Sequence, residues 1–184
     1  GELRGKTMLV VGLGGIGTEI AWRANSLGMQ VIATRNTSRE GPDFLEYIGL
    51  PEELETLASQ ADVVVNALPL TNSTAGLFNQ SFFANMKTGS IFISVGRGAS
   101  TVTDALVSTL QSGKLYGAGL DVTDPEPLPA DNPLWKMSNV IITPHVSAAS
   151  PGSTERTALI AAENLRRYVD GGYLLNVVDM KAGY

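Results

Sequence analysis

A chain of 184 residues with 43% hydrophobic and 17% charged residues is long enough for one domain with a full core, or one and a smaller piece. Its net charge of −5 gives no basic footprint for nucleic acid, and its lack of cysteine excludes disulfides, Cys-ligated zinc and thiol catalysis. No apolar run reaches the roughly 18 residues that span a bilayer, so no membrane partner is expected and a cytoplasmic location is the default.

Met8-Leu9-Val10-Val11 reads as a buried parallel strand, and Gly12-Leu13-Gly14-Gly15-Ile16-Gly17 follows it with the spacing G-x-G-x-x-G. Thr18 to Gly28 reads as a helix, with Ile20, Ala21, Ala24 and Leu27 on one apolar stripe and Gly28 as its stop. In a dinucleotide site each glycine has a task. Gly12 permits the tight turn, Gly14 lets the backbone come close to a pyrophosphate, and Gly17 lets the helix press on the strand. The phosphates then sit where free helix N–H groups and the helix dipole favour negative charge. Glycine turns are common, so the motif is weak alone; the strand before it and the helix after it supply the context it requires.

Val31 to Thr34 reads as the second strand, completing a β-α-β unit. The group that separates NAD from NADP lies near the end of this strand, where an acid binds the ribose 2′-OH of NAD. This chain has Thr34-Arg35-Asn36, with Ser38 and Arg39 beyond. An arginine among hydroxyl and amide neighbours suits a 2′-phosphate, so NADP is preferred and NAD is the alternative. The bland reading of Arg35 is a solvated arginine at a strand end.

Gly41 to Leu50 reads as loop with a short amphipathic piece, and Pro51 to Ser59 as a helix with proline in its first turn. Asp62 to Leu68 is a strand ended by Pro69-Leu70-Thr71. Phe78 to Met86 is a helix, and Ser90 to Val95 is a strand followed at once by Gly96-Arg97-Gly98. Thr103 is placed to cap a helix running to Ser112, with Val102, Leu106 and Leu110 inward and Gly113 past its end. Tyr116 to Leu120 and Val140 to Thr143 read as the last strands. Ser150-Pro151 starts a final helix whose apolar face carries Ala158, Ala161, Ala162, Leu165, Tyr168 and Val169. The tail from Gly171 to Tyr184 carries little signal.

Strands alternating with helices imply an α/β fold with a doubly wound parallel sheet: a dinucleotide-binding domain over residues 1–150, then a C-terminal helix and tail over 151–184. Ligands of such sheets bind outside the carboxyl ends of the strands. The residues just past those ends are Gly12 to Gly17, Arg35, Pro69, Arg97, Asp121, Glu126 and His145. His145 is the only histidine, and a proton carrier held behind Pro144 suits general acid–base work. Glu126, between Pro125 and Pro127, offers a carboxylate that can orient an imidazole. Arg97, flanked by two glycines, has room for a small anion and can grip a carboxylate by two parallel hydrogen bonds. Asp121 either binds a nicotinamide carboxamide or caps its loop, and Pro69-Leu70 either packs on a cofactor or ends a strand. One histidine, no cysteine and no clustered carboxylates leave no metal site, and a Ser-His-acid triad through Ser94 or Ser147 lacks G-x-S-x-G. Each of these residues alone is more often structural or solvated. Their convergence on one edge of a dinucleotide fold points to hydride transfer on a hydroxy or keto acid.

The chain resembles the nucleotide-binding domain of the D-isomer-specific 2-hydroxyacid dehydrogenases, of the glyoxylate/hydroxypyruvate reductase kind, from about Leu3 to Leu175. The landmarks are Leu3-Arg4-Gly5-Lys6-Thr7 before the glycine turn, Leu68-Pro69-Leu70-Thr71 with Thr74, and Val95-Gly96-Arg97-Gly98. Leu120-Asp121-Val122 then leads to Glu126-Pro127-Leu128, and Thr143-Pro144-His145 closes the set. The resemblance implies a three-layer αβα Rossmann domain. It makes Arg97 the binder of the substrate carboxylate, His145 the acid/base and Glu126 its partner, with hydride passing between nicotinamide C4 and substrate C2. It places Gly15 and Ile16 N–H groups on the pyrophosphate, Thr74 and Asp121 beside the nicotinamide, and Leu68, Val95, Gly96, Arg97 and His145 along the cofactor. It also implies a small 2-keto or 2-hydroxy acid partner and a homodimer. A substrate domain built mainly from residues ahead of Gly1 is missing, so this piece is expected to bind a dinucleotide but to turn over poorly. Ser94 stands where the family often has asparagine. Thr34-Arg35 stands where NAD-dependent members carry an acid, which favours reduction of a small 2-keto acid with NADPH. The competing readings are an NAD(H)-sensing, corepressor-like interaction protein and a formate or phosphite dehydrogenase of the same family.

Overall fold

Short runs of β-branched and apolar residues form seven strands: β1 Thr7–Val11, β2 Gln30–Thr34, β3 Tyr47–Gly49, β4 Val63–Asn66, β5 Ser90–Ser94, β6 Leu115–Leu120 and β7 Val140–Ile142. The computed structural model describes residues 1–181 and Gly183, and the chain divides into two units, Gly1–Pro144 and His145–Tyr184. All strands of the first unit pair in parallel in one sheet of order β3-β2-β1-β4-β5-β6-β7. Parallel neighbours need crossovers, and the helices α1 Gly15–Ser26, α2 Leu54–Ala58, α3 Gln80–Asn85 and α4 Thr103–Gln111 lie on them. Strand order reverses between β1 and β4, which is where a doubly wound Rossmann sheet opens a crevice at its carboxyl edge.

The pleat of β1 divides the core between the two faces. Leu9 and Val11 pack with Leu54, Leu57, Phe82, Phe83 and Leu106 of α2, α3 and α4. Val10 packs on the other side with Ala21 and Ala24 of α1. Phe78, Phe82, Phe83 and Phe92 interlock edge-to-face or tilted with centroids 4.9–5.8 Å apart, an arrangement that adds to their burial energy. Beyond β4, none of the first unit's helices covers the α1 side of the sheet, where Ile91, Ile93, Tyr116, Gly119 and Ile141 line an open apolar hollow of about 520 Å³.

Several boundaries differ from the sequence expectation. Helix α1 begins at Gly15, because extended Gly14 is its N-cap, so Gly17 lies inside the first turn. The segment read as loop contains β3, a strand too short to show alternation. Phe78 is not helical but bridges Thr101, and Asn79 caps α3 by accepting from Phe82 N at 3.1 Å. Val102, not Thr103, is the N-cap of α4, the Thr103 hydroxyl donating instead to Asp124 O at 2.6 Å, and Val102 is 39% exposed rather than inward. The first compact unit ends at Pro144, just past the last sheet bond, Thr143 N to Leu120 O.

In the second unit, α5 spans Ser153–Val169, has Gly152 rather than Ser150 as its N-cap, and has no buried residue. Its expected apolar stripe is therefore exposed.

Candidate active site

The glycine turn is built by main-chain constraint. Gly12 has φ +96°, and a Cβ there would lie 3.0 Å from Ala67 O. Gly12 N and Leu13 N both donate to Thr34 O, at 3.3 and 3.1 Å, tying the turn to the end of β2. At Gly17 a Cβ would fall on Gly12 O, well inside the 3.0 Å that real Cβ atoms respect. By contrast, added Cβ atoms at Gly14 and Gly15 would meet nothing within 4 Å. The turn is closed toward the protein and open toward solvent at the amino terminus of α1, where first-turn amides have no intrahelical partner. That arrangement fits a pyrophosphate.

At the end of β2, Thr34 is 5% exposed and contributes its carbonyl to the glycine turn. Arg35 is half-buried; its N–H donates to Gly49 O at 3.0 Å and its Nη1 to Glu40 O at 2.6 Å. Asn36 is exposed. Arg39 is clamped on β3: Nη1 donates to Tyr47 Oη at 2.8 Å and Ile48 O at 3.1 Å, and Nη2 lies 2.6 Å from Glu53 Oε2. The Leu50 N–H, the Tyr47 hydroxyl and Arg39 hold the Glu53 carboxyl down from its ordinary 4.5 to about 2. A carboxyl depressed in the folded state stabilises it above its ordinary pKa and loses that contribution as pH falls through the folded value. The melting-temperature gap between wild type and Glu53→Gln should therefore be full at pH 7, shrink below about pH 4.5 and vanish near pH 2. Thermal melts across that range check it, and a pH-independent gap would refute it.

The ends of β4 and β5 are joined by a knot that the sequence reading missed. Asn66 is wholly buried and sits opposite Ser94 in the ladder. Its Nδ2 donates to Ser94 Oγ at 3.0 Å and to Ser100 Oγ at 2.8 Å, while its Oδ1 accepts from Leu68 N at 3.1 Å. Ser100 Oγ donates to Arg97 O at 2.6 Å. A polar residue ending the run Val63-Val64-Val65 was the available signal. Arg97 is exposed, with Nη1 donating to Gly96 O at 2.8 Å. Its flanking glycines are required by backbone packing. A Cβ on Gly96 would lie 2.6 Å from Leu68 O, and one on Gly98 would overlap Thr123 O. Val95 N donates to Asn66 O at 3.0 Å. Thr74 closes the Pro69 loop, its hydroxyl donating to Pro69 O at 2.7 Å and accepting from Thr71 N at 2.8 Å.

Past β6, Asp121 is 6% exposed, and its Oδ1 accepts from Thr143 Oγ1 at 2.6 Å. Glu126 is exposed on a loop pinned by Thr103 Oγ1 to Asp124 O, Thr123 Oγ1 to Pro125 O at 3.0 Å and Trp135 Nε1 to Pro129 O at 2.9 Å. The first unit thus gathers Gly12 to Gly17, Arg35, Leu68, Pro69, Arg97 and Asp121 at the carboxyl ends of adjoining strands, with the Glu126 loop following β6. His145 opens the second unit with φ +53°. Among the described residues no cluster of His, Asp or Glu could hold a metal, and no helix is long and apolar enough to cross a membrane.

Residues 1–147 match the family described as D-isomer specific 2-hydroxyacid dehydrogenase, NAD binding domain. The chain is 38% identical over 179 residues to glyoxylate/hydroxypyruvate reductase B of Escherichia fergusonii, covering 97% of itself and 55% of that protein. It is 41% identical over 163 residues to the human glyoxylate reductase/hydroxypyruvate reductase, covering 86% of itself and 48% of that protein. The chain spans about half the length of these curated relatives. Among solved structures it is similar to an NADPH-dependent glyoxylate/hydroxypyruvate reductase of Sinorhizobium meliloti in complex with NADP and sulfate. That match has a TM-score of 0.93 and 32% identity, over 100% of this chain and 58% of the other. It is also similar to a D-isomer specific 2-hydroxyacid dehydrogenase of Xanthobacter autotrophicus Py2 in complex with NADPH and MES, with a TM-score of 0.91 and 34% identity, over 97% of this chain and 73% of the other.

Proposed function

The chain belongs to the D-isomer specific 2-hydroxyacid dehydrogenase family, and from that membership we propose that it is the cofactor-binding part of an NADPH-preferring reductase of a small 2-keto acid such as glyoxylate or hydroxypyruvate. The observation that carries the proposal is the solvent-open amino terminus of α1 beside an arginine, rather than an acid, at the end of β2. When bound, NADPH supplies a hydride from nicotinamide C4 to the substrate's carbonyl carbon. The chain's own groups do the rest. Gly15 and Ile16 present N–H groups to the pyrophosphate, and Arg35 meets the 2′-phosphate. Asp121, Thr74 and the Leu68-Pro69 wall orient the nicotinamide. Arg97 takes the substrate carboxylate through paired N–H groups. His145 delivers a proton to the carbonyl oxygen as it becomes a hydroxyl, with Glu126 orienting the ring. A homodimer and a cytoplasmic location belong to the same proposal.

Arg35→Ala tests the cofactor choice. Loss of a charge-assisted contact should lower NADPH affinity about tenfold and leave NADH affinity within about twofold, read by nicotinamide fluorescence. A wild-type chain that binds NADH more tightly than NADPH would overturn this assignment.

A further inference from the structure

A valine or leucine at the end of β4 would fill the core without a desolvation cost, yet the position holds Asn66, with 0% of its surface exposed. Both amide hydrogens and the amide oxygen are engaged, so the cost is offset only by three specific bonds. Those bonds reach three separate segments: the chain leaving β4 at Leu68, the end of β5 at Ser94, and the turn Gly98–Ser100. The path is directional. Ser100 has one hydroxyl hydrogen and gives it to Arg97 O, so Ser100 Oγ receives from Asn66 Nδ2, and the two bonds polarise one another. Gly96, on the other side of Arg97, is seated against Leu68 O, 2.6 Å from where its Cβ would be, and its carbonyl accepts from Arg97 Nη1. The backbone of Arg97 and the first anchor of its guanidinium are thus both set by the same buried knot.

We infer that Asn66 and Ser100 are positioning residues that hold Arg97 in the pose required to receive a carboxylate. The inference rests on the assignment of Arg97 as the anion-binding group. A guanidinium recognises a carboxylate through two parallel bonds of fixed direction, so a loosened backbone degrades binding even when the side chain remains. A purely architectural knot would affect melting alone.

The test uses the whole chain saturated with NADPH and titrated with oxalate, a planar dicarboxylate, by calorimetry below every variant's melting transition. Arg97→Ala should lose at least about tenfold in oxalate affinity. Ser100→Ala, which removes only the donor to Arg97 O, should lose about fivefold while NADPH affinity stays within about twofold. The Nε–Hε NMR signal of Arg97 should be sharp in the wild type and should broaden in that variant. Asn66→Ser should lose more, and Ser100→Ala decides the matter if Asn66→Ser fails to fold. Wild-type oxalate affinity and a sharp Arg97 signal in Ser100→Ala, with oxalate binding lost in Arg97→Ala, would overturn the positioning role and leave the Arg97 assignment standing. Oxalate affinity unchanged in Arg97→Ala, or absent in the wild type, would remove that assignment and the inference with it.

Discussion

Replacing Gly17 with alanine should abolish NADPH binding and destabilise the fold by about 3 kcal/mol or more. The new methyl would be driven onto Gly12 O, while also lying 3.1 Å from Gly12 C and 3.2 Å from a Val10 methyl. A flexible side chain could step aside from such a clash; a carbonyl in this turn cannot. Gly12 N and Leu13 N are fastened to Thr34 O, and Gly12 itself faces Ala67 O at 3.0 Å from its would-be Cβ. The helix must therefore move away from β1, taking with it the amides aimed at the pyrophosphate. Gly14→Ala is the contrast, because nothing lies within 4 Å of its added Cβ. It should melt like the wild type and lose only the close approach of a ligand. Thermal denaturation with NADPH titration separates the two, and a Gly17→Ala chain with wild-type melting would refute the account of the turn.

His145→Ala should slow single-turnover oxidation of NADPH by glyoxylate about 10²- to 10⁴-fold, the usual contribution of a positioned proton donor. NADPH affinity should be largely unaffected, because the ring is assigned to the substrate oxygen rather than to the phosphates. His145 has φ +53°, a left-handed backbone in which alanine is strained. His145→Asn removes the proton carrier while keeping a residue that tolerates that conformation, and it should be equally slow. Undiminished turnover in His145→Asn would mean that the proton comes from another group.

What the sequence revealed depended on how local the physical requirement was. The glycine turn was legible because strand, turn and helix amino terminus lie within a dozen or so contiguous residues, and each glycine answers a contact inside that stretch or beside it. Strand β3 was missed because three residues at a sheet edge show no period. Asn66 was visible as a polar interruption of a valine run. Its partners Ser94 and Ser100 belong to chain segments that meet it only after β4 and β5 pair in register. The glycines beside Arg97 suggested open space, and they are also required by the Leu68 and Thr123 carbonyls of neighbouring loops. Thr103 looked like a helix cap because its local spacing was right, yet the carbonyl of Asp124 takes its hydroxyl. The stripe on α5 was read correctly as a pattern, but a pattern does not say what will bury it.

A sheet in which every ladder is parallel contains no hairpin from which folding could start. Met8 lies beside Val63, so the central pair cannot zip until the intervening β2, β3 and α2 have left the ribosome. Until then Val10 and Val11 have β2 on one flank and a bare edge on the other. The slow, entropy-limited closure of that longest loop joins two half-sheets and, in the same event, creates the crevice between β1 and β4. The same β1–β4 pairing therefore both unites the half-sheets and shapes the crevice at their carboxyl edge.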